Sequence, residues 1–232
     1  MRLSKRSALL PLASLLVLGE LARAEENTIT GVVRYVGVVS NTDTAIWAGD
    51  KNNRPDSNHA VSDAIVYLAG LTVNGVKHEV NEAVTIDQHN DRFVPQIQIA
   101  RAGVPLIIRN SDPLLHVVRI DLMSSTNDPK TLLKIAAPYA GYEKKYQLAN
   151  FSEPTLLRVS AGNDQSVAPA YIAVMPHPWA TLTDTNGHFV LHNVPPGRHK
   201  IYAWHEWFGA LFRDVQINGS RTGAVDFQFG PR

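Results

Sequence analysis

Asn110-Ser111-Asp112-Pro113-Leu114-Leu115-His116-Val117-Val118 is the stretch on which the fold turns. Asn, Ser, Asp and Pro supply turn chemistry between one short apolar run at 105–109 and another at 116–121, and a single histidine opens the second run. Runs of this length, rich in Val, Ile and Leu and closed by Asn, Asp, Gly or Pro, have strand spacing and not helix spacing.

The same pattern continues in both directions. Strands are expected at 31–36, 64–68, 83–86, 93–99, 105–109, 116–121, 143–148, 156–160 and 171–175, and again at 181–183, 188–192, 199–204, 211–217 and 225–229. The expected fold class is therefore all-β. Two polar stretches, 40–60 and 124–127, read as long connections, and the second leads into an expected short helix over 128–135.

Composition narrows the chemistry. The 232 residues include no cysteine, so there is no disulfide, no lipid attachment point and no thiolate ligand. A His₂Cys blue-copper centre is excluded on that ground alone. Arg2, Lys5 and Arg6, an apolar run over 7–18 and Ala22-Arg23-Ala24 form a secretory signal over 1–24. The expected location is periplasmic or secreted after cleavage. The apolar run is shorter than the ~20 residues a spanning helix requires, so no membrane span is expected. The chain's 22 basic and 21 acidic residues lose four and one to the signal, leaving 18 against 20. A net charge near −2 gives no electrostatic basis for binding nucleic acid or anionic lipid. No Gly-x-Ser-x-Gly elbow, paired-histidine helix motif or phosphate-cradling loop is present, and the expected class is not an enzyme.

Near the C-terminus stand Thr183-Asp184-Thr185-Asn186-Gly187-His188-Phe189 and Val194-Pro195-Pro196-Gly197-Arg198-His199-Lys200-Ile201. Asp-x-x-Gly makes a tight turn that needs a positive φ at Gly187, and Pro195-Pro196-Gly197 fixes a hairpin. With Gly31-Val32-Val33 and Asp63-Ala64-Ile65-Val66-Tyr67-Leu68, this resembles the carboxypeptidase regulatory-like, or transthyretin-like, β-sandwich of carbohydrate-binding-like fold. The two halves of that pattern lie more than a hundred residues apart. The resemblance thus implies a discontinuous sandwich over 25–78 and 176–232, with a second unit inserted over 79–175.

The insert carries Val84-Thr85-Ile86-Asp87-Gln88, Phe93-Val94-Pro95, Asn110 to His116 and Ala170-Tyr171-Ile172; beyond it follow His177-Pro178-Trp179 and Trp204-His205-Glu206. Together these resemble the plastocyanin-like proteins labelled methylamine utilisation proteins, which implies a cupredoxin-like β-sandwich. Where that family places Cys, His and Met on one loop, this chain reads Val159-Ser160-Ala161-Gly162-Asn163-Asp164-Gln165-Ser166-Val167-Ala168-Pro169, without imidazole or soft ligand. Gln96 also stands where relatives carry histidine.

The candidate metal ligand is His116, with Asp112, Met123, Asp164 and Gln165 as neighbours and His89 as the supplier of a second imidazole. The alternative is a His116 ring hydrogen-bonded to loop backbone. His188 and His192 share a strand face that the following hairpin brings toward His199, a surface metal site or a set of solvated histidines. Trp207 and Phe208 form a candidate aromatic platform for a sugar or a partner, against the alternative of core packing. His205 and Glu206 are adjacent strand residues that face opposite ways and do not act as one acid–base pair. Two functions follow. One is a non-enzymatic binding or scaffold protein without a resident cofactor, contacting a protein or glycan partner. The other is a non-blue copper-binding protein in copper handling or electron transfer with a redox partner.

Overall fold

A computed structural model describes residues 27–37, 59–71, 83–123, 130–162, 164, 166–218 and 223–231. Residues 1–24, expected as a secretory signal, most of the 40–60 connection and the 124–127 connection lie outside the described residues. Every described element is a β-strand. No helix among the described residues is long and apolar enough to cross a membrane.

In chain order, β1 (Ile29–Tyr35) and β2 (Ile65–Ala69) come first. They are followed by β3 (Val84–His89), β4 (Arg92–Val94), β5 (Ile97–Arg101), β6 (Pro105–Asn110), β7 (His116–Leu122), β8 (Lys130–Ala137), β9 (Tyr142–Gln147), β10 (Thr155–Ser160) and β11 (Ala170–Met175). Strands β3 to β11 form two facing sheets, β4-β3-β6-β9 and β5-β11-β10-β7-β8. Between them Ile86, Leu106, Ile108, Leu157, Ile172 and Val174 are buried in one core. β3 runs parallel to β6 and β5 parallel to β11, while the remaining pairs are antiparallel. This part of the chain is a two-sheet β-sandwich of mixed strand direction.

The last third supplies β12 (Ala180–Leu182), β13 (His188–Leu191), β14 (Gly197–His205), β15 (Gly209–Ile217), β16 (Gly223–Ala224) and β17 (Phe227–Phe229). These combine with the first two strands into a sheet β12-β2-β14-β15 and a sheet in which β1 pairs with β13, β16 and β17. Ile29, Leu68, Ile201, Phe227 and Phe229 fill the core between them. A third cluster, Ile65, Ile97, Tyr171, Ala173 and Met175 with Tyr67 and Trp204 against it, joins the outer face of β5 and β11 to the outer face of β2 and β14. All six residues of β11 are therefore buried. Ile172 and Val174 face one core and Tyr171, Ala173 and Met175 the seam, which is why Ala-Tyr-Ile-Ala-Val-Met is apolar without alternation.

Two expectations are corrected. The helix expected over 128–135 is the strand β8 where it is described. Leu133, Ile135 and Ala137 alternate toward the core and pair along β7, with a bulge between Ile120 and Asp121. A period-two apolar face beside an available sheet edge outweighs the weak helical propensity of so short a segment. The run over 93–99 is two strands in two sheets, broken at Pro95, whose peptide bond with Val94 is cis. Proline cannot donate to a sheet ladder, and β4 ends before it. At Gly187 the required positive φ is present at 75°, and a Cβ there would lie 2.4 Å from the Val33 carbonyl oxygen. Asp184 closes the turn by accepting from the backbone N–H groups of Asn186 and His188, both at 2.8 Å.

Candidate functional site

The site is organised by Asn110, the last residue of β6 and fully buried. Its side-chain amide donates to the carbonyls of Leu114 at 2.8 Å and Ala137 at 2.9 Å, and its Oδ1 accepts from the Asp112 N–H at 2.9 Å. The turn of 111–115 is thereby tied to the start of β7 and the end of β8, and His116 is delivered at the rim of the sandwich. The hairpin from β3 to β4 approaches from the other sheet. Asn90 and Asp91 both hold positive φ, 52° and 55°, as a two-residue hairpin turn demands and as Asn and Asp tolerate.

That hairpin aims two backbone donors at one carboxylate. Asp112 Oδ1 accepts from the Asn90 N–H at 2.6 Å, while Oδ2 accepts from the Asp91 N–H at 3.1 Å and lies 3.1 Å from His116 Nε2. Burial pushes the Asp112 carboxyl up, but the Asn90 and Asp91 N–H groups and the His116 imidazole outweigh it and hold the group below the ordinary aspartate range. An ionised Asp112 has no proton to give, so Nε2 of His116 carries one and, in the neutral ring, Nδ1 keeps its lone pair. A carboxylate bonded to one ring nitrogen is the arrangement that orients a metal-binding histidine.

Asp91 completes the group. One ligand atom each from Asp91, Asp112 and His116 lie within 4.8 Å of one another. From the 161–169 loop, the exposed Asp164 carboxyl is held low chiefly by the hydroxyl and N–H of Ser166 at 2.6 and 2.9 Å, with His116 adding an electrostatic pull. Two carboxylates and one imidazole are a hard-to-borderline donor set suited to a divalent cation. They do not fit a blue-copper centre, since the chain offers no thiolate. Leu114 and Leu115, 64% and 60% exposed, stand beside this group on the turn itself.

The other sequence candidates are dispersed. His89 ends β3 on the exposed side, outside the Asp91–Asp112–His116 group. Met123 follows the far end of β7 from His116, a separation of about 23 Å at ~3.3 Å per strand residue. Gln165 lies outside the described residues. Gln96 donates to Glu206 at 3.1 Å, bridging the two pairs of sheets. Trp207 and Phe208 occupy the turn between β14 and β15, both half-buried. The Phe208 ring stacks on Tyr35, His205 and Phe229 at 5.0, 4.9 and 5.1 Å, as part of the second core. His188 and His192 are exposed, whereas His199 turns inward and meets the Pro195 carbonyl at 2.6 Å.

Sequence reasoning missed Asp91, although Asn90-Asp91 between two β-type runs is a hairpin signal. It also missed that Gln88, beside Asn110 on the neighbouring strand, is fully buried with neither amide atom hydrogen-bonded.

No protein-family model and no curated protein matches the chain. Solved structures do resemble part of it. A copper-containing nitrite reductase from Thermus scotoductus is 16% identical over 45% of this chain, with TM-score 0.31; the match spans 24% of the reductase, about a quarter of its length. A reduced amicyanin is 11% identical over 48% of this chain and 99% of its own, with TM-score 0.31. A purple cupredoxin from Nitrosopumilus maritimus is 13% identical over 39% and 98%, with TM-score 0.28. The likeness is one of fold, over less than half of the chain.

Proposed function

We propose that this is a non-enzymatic, extracytoplasmic binding protein of cupredoxin type that has no blue-copper centre and takes a divalent cation at Asp91 and His116, with Asp112 holding the His116 ring. In this reading the strands of 25–78 and 176–232 are a transthyretin-like sandwich that carries the 79–175 unit. The observation that carries the proposal is the convergence of the three donor groups within 4.8 Å, with His116 already oriented by an ionised Asp112. Copper(II) is the first candidate, because nitrogen and oxygen sites bind it most tightly among the divalent first-row metals. Without thiolate ligation the bound copper lacks the intense sulfur-to-metal absorption of blue sites, and the role is copper handling.

The test is titration of the chain with copper(II), reading bound metal and optical spectrum. One equivalent is expected, nearly colourless, and lost in His116→Ala and in Asp91→Asn. Binding that survives both substitutions, or no stoichiometric binding, refutes the assignment.

The same end of the sandwich favours a second role, the contact with a protein partner. Leu114, Leu115 and Tyr139 are 64%, 60% and 60% exposed, and Asn110 ties their two turns together. Leu114→Asp with Leu115→Asp would abolish such a contact while sparing the cation.

A further inference from the structure

A second, separate space opens where the two pairs of sheets meet. The outer face of β10 and β11 contributes Leu156 and Met175, and the opposite sheet contributes Tyr67 and Trp204. Met123 and Thr155 also line the space, whose volume is about 280 Å³. No Asp, Glu, Lys, Arg or His lines it. Pockets at the junction of two packed units, apolar with few polar groups, are the usual form of a small-molecule site.

Its walls are specific. The Trp204 indole is held edge-on to Tyr171 with centroids 5.0 Å apart, and the Tyr67 ring is stacked on Tyr202 at 5.4 Å with 11° between planes. Both aromatic walls are thus fixed by neighbours before any ligand arrives. Met123 and Met175 are the chain's two methionines besides Met1, and both line this pocket. Unbranched thioethers adapt to varied apolar shapes and make favourable contacts with aromatic rings. The Thr155 hydroxyl is committed to the Glu153 carbonyl at 2.9 Å. Burial first, and neighbouring Tyr202 second, push the Tyr67 phenol up to about 12, so it stays protonated and can donate.

We propose that this seam pocket is a binding site for a small neutral aromatic molecule of about two fused rings, which presents a hydrogen-bond acceptor to Tyr67. Size sets the ring count: an apolar protein cavity of about 150 Å³ admits benzene, and this one is nearly twice as large. The absence of charged lining residues sets the neutrality, since an ion would enter without a partner. The pocket lies at the opposite end of β7 from His116, and its occupancy is independent of the cation site.

The probe is quinoline at mildly alkaline pH, where it is uncharged, with naphthalene-2-sulfonate as the anion of similar size. Titration calorimetry of the full chain is expected to show one quinoline site. The sulfonate should bind at least about tenfold more weakly. Met123→Trp, at a residue 40% exposed, should block the mouth and weaken quinoline about tenfold. Tyr67→Phe keeps the ring, removes the donor, and should weaken it about fivefold. His116→Ala should change nothing. Thermal unfolding checks that each variant is folded, and Tyr67→Phe decides alone if Met123→Trp is not. No quinoline binding by the parent chain overturns the proposal, as does binding that Tyr67→Phe leaves unchanged or equal affinity for the sulfonate.

Discussion

Replacing His205 by phenylalanine should remove most of one acid-sensitive step in the stability of this protein. His205 closes β14, is fully buried, and stacks on Phe208 at 4.9 Å with 28° between ring planes. Its Nδ1 accepts the Trp207 N–H at 3.3 Å, and its Nε2 has no hydrogen-bond partner among the described residues. Burial lowers its pKa from 6.5 to about 4. Between those values the unfolded chain binds a proton that the folded chain refuses, so stability is lost as pH falls from about 6.5 toward 4. A displacement of roughly 2.5 units at 1.36 kcal/mol each gives about 3 kcal/mol over the whole window.

The His205→Phe chain keeps the aromatic stack and loses the titration. Near pH 7 the two proteins should agree within about 1 kcal/mol, because one long hydrogen bond and one unpaired ring nitrogen are lost together. Near pH 4.5 the variant should be the more stable by roughly 2 to 2.5 kcal/mol relative to that baseline. Urea unfolding at both pH values measures this difference. His177, also lowered by burial, and Asp112 titrate in both chains and cancel. A difference that stays constant within about 0.5 kcal/mol refutes the reasoning.

Two further substitutions test the packing around the sites. Gln88→Leu removes two buried amide atoms that have no partner and should raise the urea midpoint, by about 1–2 kcal/mol in stability; a loss would show that the amide holds a bound water or ion. Gly187→Ala meets both a positive φ of 75° and the Val33 carbonyl at 2.4 Å, and should lower the thermal midpoint by the equivalent of about 2 kcal/mol or more; an unchanged midpoint would mean that the turn relaxes without cost.

What could be read from the sequence was what short-range chemistry decides. The turn at 110–115 and the Asp184–Gly187 turn are fixed by residues within four positions of one another, and both stand as their side chains require. Alternation decided most strands. It failed at 130–137, where two adjacent leucines and two adjacent alanines blur the period until β7 is there to pair with. It failed at 93–99 because a proline inside an apolar run does not say which sheet each half will join. Asp91 was invisible as a site residue because its meeting with Asp112 spans 21 positions and depends on two sheets facing each other. Phe208 stood between an exposed platform and core packing in the sequence, because composition cannot tell a turn over solvent from a turn folded onto Tyr35 and Phe229.

The Asp112 carboxylate gives the candidate site its character. Its two oxygens are supplied with donors by the hairpin backbone, so its charge is stabilised by the protein before any cation arrives. A cation that replaced those N–H groups would have to unmake the hairpin, whereas one that used His116 Nδ1 and the exposed Asp91 would leave it intact. The second route costs less, since it keeps the Asp112–His116 bond that fixes the ring. On this argument Asp112 positions and Asp91 ligates, even though Asp112 is the more buried carboxylate. The fold then holds its rim histidine by backbone donors from the opposite sheet, and the oxygen ligand beside it comes from the hairpin that supplies those donors.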